Sequence, residues 1–400
     1  MTSKSRWMVL VLLFLMVTVA YLARMNISVA LPFIADEYLW TEAQKGRIGG
    51  ILLSAFLLGY GISNILFSSA GDIFGIKRTL LIAILSWSVS TSLGVVFGQV
   101  YHIFIASRVL VGLGQGILYP AAIKFIQNWF HSRERSRANA SFLIGGDFAN
   151  ILTPLMLVPI IITTSWRIMF HLVALLGFLL AIPVWLYLKD SPSGSGNINK
   201  KIKVSKEFKN VLKKWEFWIL VISYGFMVIG WWGITSWLPT YLLEAQNFSI
   251  KEMALGAAIP YVGGLIGALI GSWISDKTGK RIIITISSFL IVAFFFMIMP
   301  LIYSKLQISL ILISIIFFFS WIAPNIFTLL QSIVPPEVMS TSTGFLNGIS
   351  NLCGVSGPIT IGIIIALTGS YNLGLIFIAI IMCAGAGVLA SLWRGNSRVQ

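Results

Sequence analysis

Residues 71–78 decide the fold, and they read Gly-Asp-Ile-Phe-Gly-Ile-Lys-Arg. In the second half of the chain, residues 275–281 read Ser-Asp-Lys-Thr-Gly-Lys-Arg. Each stretch has an aspartate, a glycine three residues later and then a basic pair, and each lies between two long apolar segments. A glycine permits a tight turn between two helices. Two such loops at matching places indicate that the halves of the chain are structural repeats.

The composition places the apolar segments in a lipid bilayer. Of the 400 residues, 57% are hydrophobic and 10% are charged, and the mean hydropathy is +0.91. A soluble domain carries about 25% charged residues, so one large soluble domain is excluded, as is a disordered chain. The two cysteines, Cys353 and Cys383, lie in apolar runs without metal-ligand spacing. We therefore expect no disulfide scaffold, no metal site and no cofactor.

Apolar stretches of about 20 residues are long enough to cross a membrane as helices, and the sequence has twelve of them. The predicted spans are 7–31, 48–70, 79–98, 101–129, 138–163, 167–188, 216–243, 253–275, 282–303, 307–333, 340–368 and 372–393. The connection 189–215 has a Gly/Ser-rich part, typical of a linker, and a Lys-rich part suited to anionic lipid. We predict an all-α membrane protein of two six-helix bundles, 1–188 and 216–400, joined by the linker 189–215.

The distribution of basic residues predicts the orientation, because loops rich in lysine and arginine stay in the cytoplasm. If both termini are cytoplasmic, 20 of the 28 basic residues lie on that side, five lie outside and three lie within spans. We therefore expect cytoplasmic N- and C-termini. Basic residues in cytoplasmic loops also account for the net charge of +15. We therefore expect the lipid bilayer to be a partner of the protein, and we do not expect nucleic acid to be one.

Two repeated six-helix halves are the architecture of a secondary transporter, whose substrate site lies near the membrane midplane between the halves. In the repeated loops, an aspartate can accept hydrogen bonds from helix N-termini, and basic residues can reach carboxylates or carbonyl groups opposite. We expect such contacts to form a cytoplasmic gate; the alternative is a charged loop that only sets topology. The expected gate residues are Asp72, Gly75, Arg78, Asp276, Gly279 and Arg281.

The two loops are similar to the cytoplasmic signature of the major facilitator superfamily, and the resemblance covers essentially the whole chain. The superfamily usually has a glycine four residues before each aspartate, where this chain has Ser68 and Ser272. The serines at these two positions affect the expected helix contact in detail but not the assignment to the superfamily. The resemblance implies the major facilitator fold.

A charged side chain inside a membrane is costly and commonly functional, and span 1 contains Arg24. Tyr21, Arg24 and Ser28 are three and four residues apart, so they share one helix face. Arg24 lies about 25 Å from the cytoplasmic end at about 1.5 Å per residue. A guanidinium that faces a central cavity there can bind a carboxylate or phosphate through two hydrogen bonds. The alternative is a structural arginine bonded to carbonyl groups.

Spans 4 and 5 carry further polar residues. Gln115 and Tyr119 form a polar stripe near the middle of span 4. Arg108, nearer the outer end, can equally be structural, and Lys124, near the inner end, can reach water or form an ion pair. Asp147 is the only acidic residue well inside any predicted span, and a carboxyl group there can carry a proton. The alternative for Asp147 is a fixed ion pair with Lys124.

Three stretches carry a narrower resemblance: Tyr-x-x-Arg-x-Asn at 21–26, Gly-x-Gly-Gln-Gly-x-x-Tyr-Pro at 112–120 and Trp-Leu-Pro-Thr-Tyr-Leu at 237–242. They look like the anion:cation symporter family, which includes sialic acid, sugar-acid and vesicular glutamate carriers. They look almost as much like the organophosphate:phosphate antiporters. In both families the arginine of span 1, here Arg24, binds the substrate anion.

This chain departs from both families. The symporters commonly have a proton-coupling glutamate where Gln115 stands, and the antiporters have an arginine at the position of Trp231 and a lysine at that of Asn64. The missing second arginine argues against a phosphate dianion. Because Gln115 cannot titrate, Asp147 becomes the expected proton site.

The sequence thus predicts an inner-membrane secondary transporter, and not an enzyme, that imports a small organic anion by proton symport with alternating access. The anion is expected to be a carboxylate or sugar acid, the coupling ion a proton, and the functional unit a monomer. Asp147 is expected to carry the proton. The residues expected to bind and orient the anion are Arg24, Tyr21, Gln115, Tyr119, Asn347 and Asn351. The alternatives are an exchanger of the organophosphate/phosphate type, an exporter and a membrane sensor that does not transport.

Overall fold

The computed structural model of the chain describes residues 3–67, 74–96, 100–130, 132–189, 201–335 and 338–395. Within these ranges, twelve helical segments are long and apolar enough to cross a membrane. The predicted all-α class and the predicted number of spans are therefore confirmed. Among the expected gate residues, Asp72 lies outside the described ranges.

Most of the spans begin and end within four residues of the predicted bounds; the end of span 1 and the starts of spans 2 and 5 differ from the prediction by six residues. In chain order they are Trp7–Glu37, Glu42–Leu66, Ile76–Val96, Tyr101–Ile126, Ile144–Thr163, Trp166–Tyr187, Trp215–Ala245, Ile250–Thr278, Arg281–Leu301, Lys305–Ile333, Thr341–Thr368 and Tyr371–Leu392. A further helix, Lys201–Leu212, lies in the predicted linker. Its residue Phe208 packs edge-on against Phe345, with ring centroids 5.6 Å apart.

Spans 4 and 10, which occupy the same place in the two halves, are each broken into two helices. The four helices are Tyr101–Gln115 and Leu118–Trp129 in span 4, and Lys305–Phe319 and Ile322–Ile333 in span 10. Pro120 and Pro324 are the third residues of the two second helices. A proline has no N–H to bond the carbonyl four residues earlier, which favours a break there. The shared break is the structural counterpart of the sequence repeat.

The two signature loops turn at their glycines. Gly75 has a φ of 85° and Gly279 a φ of 68°, in the left-handed region that residues with a side chain disfavour. The N–H of Gly279 donates to the carbonyl oxygen of Ser275 at 2.9 Å, which caps span 8. Within the same loop, Arg281 Nη2 lies 3.4 Å from Asp276 Oδ1. The role of these residues as a gate stays a prediction.

Contacts along the chain divide it into two compact units. Unit 1 comprises Met1–Phe33 and Ala55–Ile198, and unit 2 comprises Ile34–Ser54 and Asn199–Gln400. The end of span 1 and the start of span 2 therefore belong to the same compact unit as the second half of the chain. The bundles 1–188 and 216–400 are a division of the sequence and stay a prediction.

Glycines allow spans within a unit to touch backbone to backbone. In unit 1, a Cβ atom at Gly112 of span 4 would lie 2.1 Å from the carbonyl oxygen of Phe56 in span 2. In unit 2, a Cβ atom at Gly357 of span 11 would lie 2.4 Å from the carbonyl oxygen of Ile229 in span 7. Helices in a membrane associate largely through such close packing at small residues.

We expect Gly112→Ala to destabilise the protein, because the added methyl group forces spans 2 and 4 apart. Such overpacking costs about 1–3 kcal/mol or more, which corresponds to a fall in the thermal midpoint of about 5 °C. The matched control is Gly387→Ala in span 12, since a Cβ atom there has nothing within 4 Å. Thermal unfolding of both variants in detergent measures the difference, and equal midpoints would contradict the packing argument.

Candidate functional site

Arg24 lies in the interior of span 1, and the residue is only 5% exposed. Its Nε and Nη2 atoms both donate to Gln115 Oε1, each at 3.2 Å. Gln115 Nε2 in turn donates to the carbonyl oxygen of Ala20 at 2.8 Å. Gln115 is the last residue of the first helix of span 4, directly before the break. The guanidinium is therefore held by an amide that is itself fixed to span 1.

Three aromatic rings surround the same guanidinium. Its carbon Cζ lies 4.3 Å from the ring centroid of Tyr21, 4.6 Å from that of Phe56 and 4.7 Å from that of Tyr60. At these distances the ring faces attract a cation. The hydroxyl of Tyr119 donates to that of Tyr21 at 3.4 Å, which ties span 4 to the same cluster.

The structure thus brings together four residues that the sequence singled out, and it adds two that sequence reasoning missed. Tyr21, Arg24, Gln115 and Tyr119 form one cluster in unit 1. The missed residues are Phe56 and Tyr60, whose rings stack with centroids 5.5 Å apart. Two aromatic residues four apart share one helix face, and this spacing in span 2 was the available signal.

Arg108 holds the backbone of span 1 where Arg24 is attached, and it is only 1% exposed. Its Nη2 atom donates to the carbonyl oxygen of Arg24 at 2.9 Å. Its Nη1 atom donates to the carbonyl oxygen of Ala23 and to Asn26 Oδ1, both at 3.1 Å. Among the residues that the structure describes, Arg108 contacts no carboxylate. This geometry corresponds to the structural alternative, with the positive charge left beside that of Arg24.

The Gly145-Gly146-Asp147 stretch packs span 5 against span 1. A Cβ atom at Gly145 would lie 2.7 Å from the carbonyl oxygen of Phe14, and one at Gly146 would lie 3.1 Å from Tyr21 Cζ. Asp147 follows on an exposed part of the helix surface. Within the described ranges it forms no hydrogen bond or ion pair, so the alternative of a fixed ion pair with Lys124 is not seen. Its role as a proton site stays a prediction.

The two asparagines of span 11 lie in unit 2 and interact with each other. Asn351 Nδ2 donates to the backbone oxygen of Asn347 at 2.8 Å and to its Oδ1 at 3.1 Å. Asn351 Oδ1 accepts from Trp232 Nε1 at 3.3 Å. The amide of Asn351 is therefore engaged with neighbouring side chains, and Asn347 is half-buried. The role of the two asparagines in binding an anion stays a prediction.

Twelve spans, two repeated loops and a buried guanidinium held in fixed geometry define a multi-pass membrane transporter. The chain belongs to the Major Facilitator Superfamily, whose sequence model matches residues 13–358. The suspected superfamily is thereby confirmed.

Similar proteins include two curated relatives that align over nearly their whole length. The chain is 28% identical to a probable sulfoacetate transporter of Cupriavidus necator, and 26% identical to a hexuronate transporter of Bacillus subtilis. Each alignment covers 98% of this chain and 94% of the relative.

Two solved structures show the same fold. One is a bacterial homologue of the human lysosomal transporter Spinster in an inward-facing, unoccupied conformation, with a TM-score of 0.78 at 19% identity over 98% of each chain. The other is a D-xylose–proton symporter, with a TM-score of 0.77 at 16% identity over 97% of each chain.

We expect Gln115→Leu to lower the thermal midpoint by several degrees. Leucine removes the oxygen that accepts from Arg24, and a buried donor without its acceptor costs about 1–3 kcal/mol. The same substitution at Gln331, which is exposed in span 10, is the control and is expected to change little. Differential scanning fluorimetry compares the two variants; a Gln115→Leu protein as stable as wild type would show that the amide does not hold the guanidinium.

Proposed function

We propose that the protein is an inner-membrane secondary transporter that imports an organic anion of the carboxylate or sugar-acid type. We further propose proton symport and alternating access as its mechanism. The observation that carries the proposal is the guanidinium of Arg24, buried in the middle of span 1 and held by Gln115 and three aromatic rings.

Electrostatics support an anion as the cargo. Two buried positive side chains belong to this part of unit 1, since Arg108 donates to the backbone oxygen of the residue that carries the Arg24 guanidinium. Like charges in a region of low dielectric repel strongly, and a bound anion relieves this repulsion. Charge-assisted hydrogen bonds from a guanidinium to a carboxylate are also about twice as strong as neutral ones.

The relatives support the class of anion. Their names specify sulfoacetate, hexuronate and L-galactonate as cargo, and each of these compounds is a small organic acid. In this chain, the hydroxyl groups of Tyr21 and Tyr119 lie 3.4 Å apart beside the guanidinium. They are suited to bond the hydroxyl groups of a sugar acid while Arg24 binds its carboxylate.

We expect Arg24→Gln to abolish uptake of the substrate anion, because the neutral side chain removes the charge that binds it. Arg24→Lys keeps the charge but loses the planar pair of donors, so we expect it to retain uptake with at least a tenfold higher KM. A thermal-shift screen of wild type against D-galacturonate, sulfoacetate, L-galactonate and inorganic phosphate first identifies a ligand, since binding to the folded state raises its stability. Proteoliposome uptake of that ligand then compares the variants.

The control for this experiment is Arg47→Gln, because Arg47 is exposed in span 2, and we expect its uptake to equal that of wild type. Uptake by Arg24→Gln at the wild-type rate would remove the anion hypothesis. A protein stabilised by phosphate alone would favour the exchanger of the organophosphate/phosphate type.

Asp147 is the proposed site of the coupling proton. Its acidic side chain lies inside a membrane span and on an exposed face of the helix. None of the described residues forms an ion pair with it. Its neighbour Gly146 touches the ring of Tyr21. A proton bound at Asp147 therefore changes the charge one residue along the chain from the contact of span 5 with Tyr21.

We expect Asp147→Asn to lose uptake driven by an imposed pH gradient while keeping exchange of labelled for unlabelled substrate. Exchange needs no net proton movement, whereas accumulation by symport does. Glu207→Gln on the linker helix is the matched control, since it removes a carboxylate outside the spans. Gradient-driven accumulation by Asp147→Asn at the wild-type level would exclude Asp147 as the coupling site.

A further inference from the structure

Three side chains from three spans meet on the face of unit 2 at which spans 2 and 12 begin and span 7 ends. Consecutive spans alternate in direction, so the start of span 2, the end of span 7 and the start of span 12 lie on one face. Lys45 Nζ lies 2.7 Å from Glu244 Oε2, and the hydroxyl of Tyr371 donates to the same Glu244 oxygen at 2.5 Å. Only 7% of the Lys45 side chain and 23% of the Glu244 side chain are exposed.

This cluster joins the two halves of the sequence. Lys45 comes from the first half, whereas Glu244 and Tyr371 come from the second, and all three belong to unit 2. Lys45 and Glu244 each lie in a widened turn of the π-helical type, Lys45–Gly49 and Tyr241–Ala245. Such turns are rare in proteins and are frequent at functional sites.

Backbone packing reinforces the same junction. A Cβ atom at Gly46 would lie 2.3 Å from the carbonyl oxygen of Gly362 in span 11, and one at Gly362 would lie 2.2 Å from that of Gly46. The start of span 2 and span 11 are therefore in contact with no room for a side chain between them. The ion pair lies directly beside this contact, at the residue before Gly46.

We propose that Lys45, Glu244 and Tyr371 form a latch that holds this face closed and that breaks each time the face opens. The proposal rests on the alternating access proposed above. In this state the latch ties the start of span 2 to spans 7 and 12. In the open state, Lys45 separates from Glu244.

Two further contacts make the latch reversible, because Lys45 and Glu244 each keep a bonded partner after they separate from one another. Lys45 Nζ lies 2.8 Å from Glu42 Oε1, three residues earlier in the same segment. Glu244 keeps the hydroxyl of Tyr371. An open pocket of about 330 Å³, lined in part by Glu42, Glu244 and Tyr371, adjoins the junction and is large enough to admit water. Separation therefore leaves no buried charge without a partner, which is the usual penalty for breaking a buried ion pair.

Distance measurements between spin labels test the latch directly. The labels are placed at Leu39→Cys and Tyr303→Cys, which are 86% and 87% exposed in loops of this face, with Cys353 and Cys383 replaced by serine. Lys45→Met, Glu244→Gln and the double variant are compared with Arg47→Met, which removes an exposed charge two residues from Lys45. Gly46→Ala is a positive control, since its methyl group opens the same junction without changing any charge.

We expect Lys45→Met and Glu244→Gln each to raise the ratio of long to short distances at least tenfold, and the double variant to add little, because both remove the same interaction. Arg47→Met is expected to match wild type. The latch is overturned if Gly46→Ala lengthens the distance but the charge variants do not, or if the two single effects simply add. If wild type accumulates the ligand from the thermal-shift screen while the charge variants leave the distances unchanged, the transport proposal stands and the latch alone fails.

Discussion

The bonds that fix the Arg24 guanidinium are the interaction on which the rest of the site depends. A charged group inside a membrane must be stabilised by the protein itself, and here that requirement involves four spans. Span 1 carries the arginine, span 4 supplies Gln115, span 2 supplies Phe56 and Tyr60, and span 5 supports Tyr21 through Gly146. The residues that these spans contribute, including Gln115 directly before the break in span 4, together stabilise this one buried charge.

The lipid environment also explains where the helices are irregular. Within a bilayer the backbone must satisfy its own hydrogen bonds, so a broken helix is tolerated only where protein or a water-filled cavity adjoins it. The breaks in spans 4 and 10 are placed by Pro120 and Pro324, and the first of them falls beside Gln115. The widened turns of spans 2 and 7 carry Lys45 and Glu244. Irregular backbone therefore occurs beside Gln115 in unit 1 and at Lys45 and Glu244 in unit 2.

The sequence predicted the number of spans and their approximate bounds, because hydropathy is a local property. It also placed Tyr21 with Arg24 on one face of span 1 and Gln115 with Tyr119 on one stripe of span 4, because helical spacing is local too. It did not predict the aromatic rings of span 2 around Arg24, since the spacing of Phe56 and Tyr60 shows that they share a helix face but not which span that face meets. The contact of Lys45 with Glu244 joins residues 199 positions apart, and no local pattern encodes such a pairing. The sequence left open whether Arg108 is functional or structural, because its three acceptors lie on another span. Two of these acceptors are backbone oxygens, which have no sequence signature.

Span 2 links the proposed latch to the anion site. Its start, with Lys45 and Gly46, belongs to unit 2, whereas Phe56 and Tyr60, about three and four turns further along, belong to unit 1 and contact Arg24. The helix Gly50–Leu66 runs through the boundary between the units without a break. Because the turn Lys45–Gly49 leads directly into this helix, we expect a displacement of the two rings by a bound anion to move the start of span 2 as well. In the transport proposed above, binding energy gained at Arg24 would in this way act on the ion pair at the start of the same span, which supplies the differential contact that any ligand-driven change of state requires.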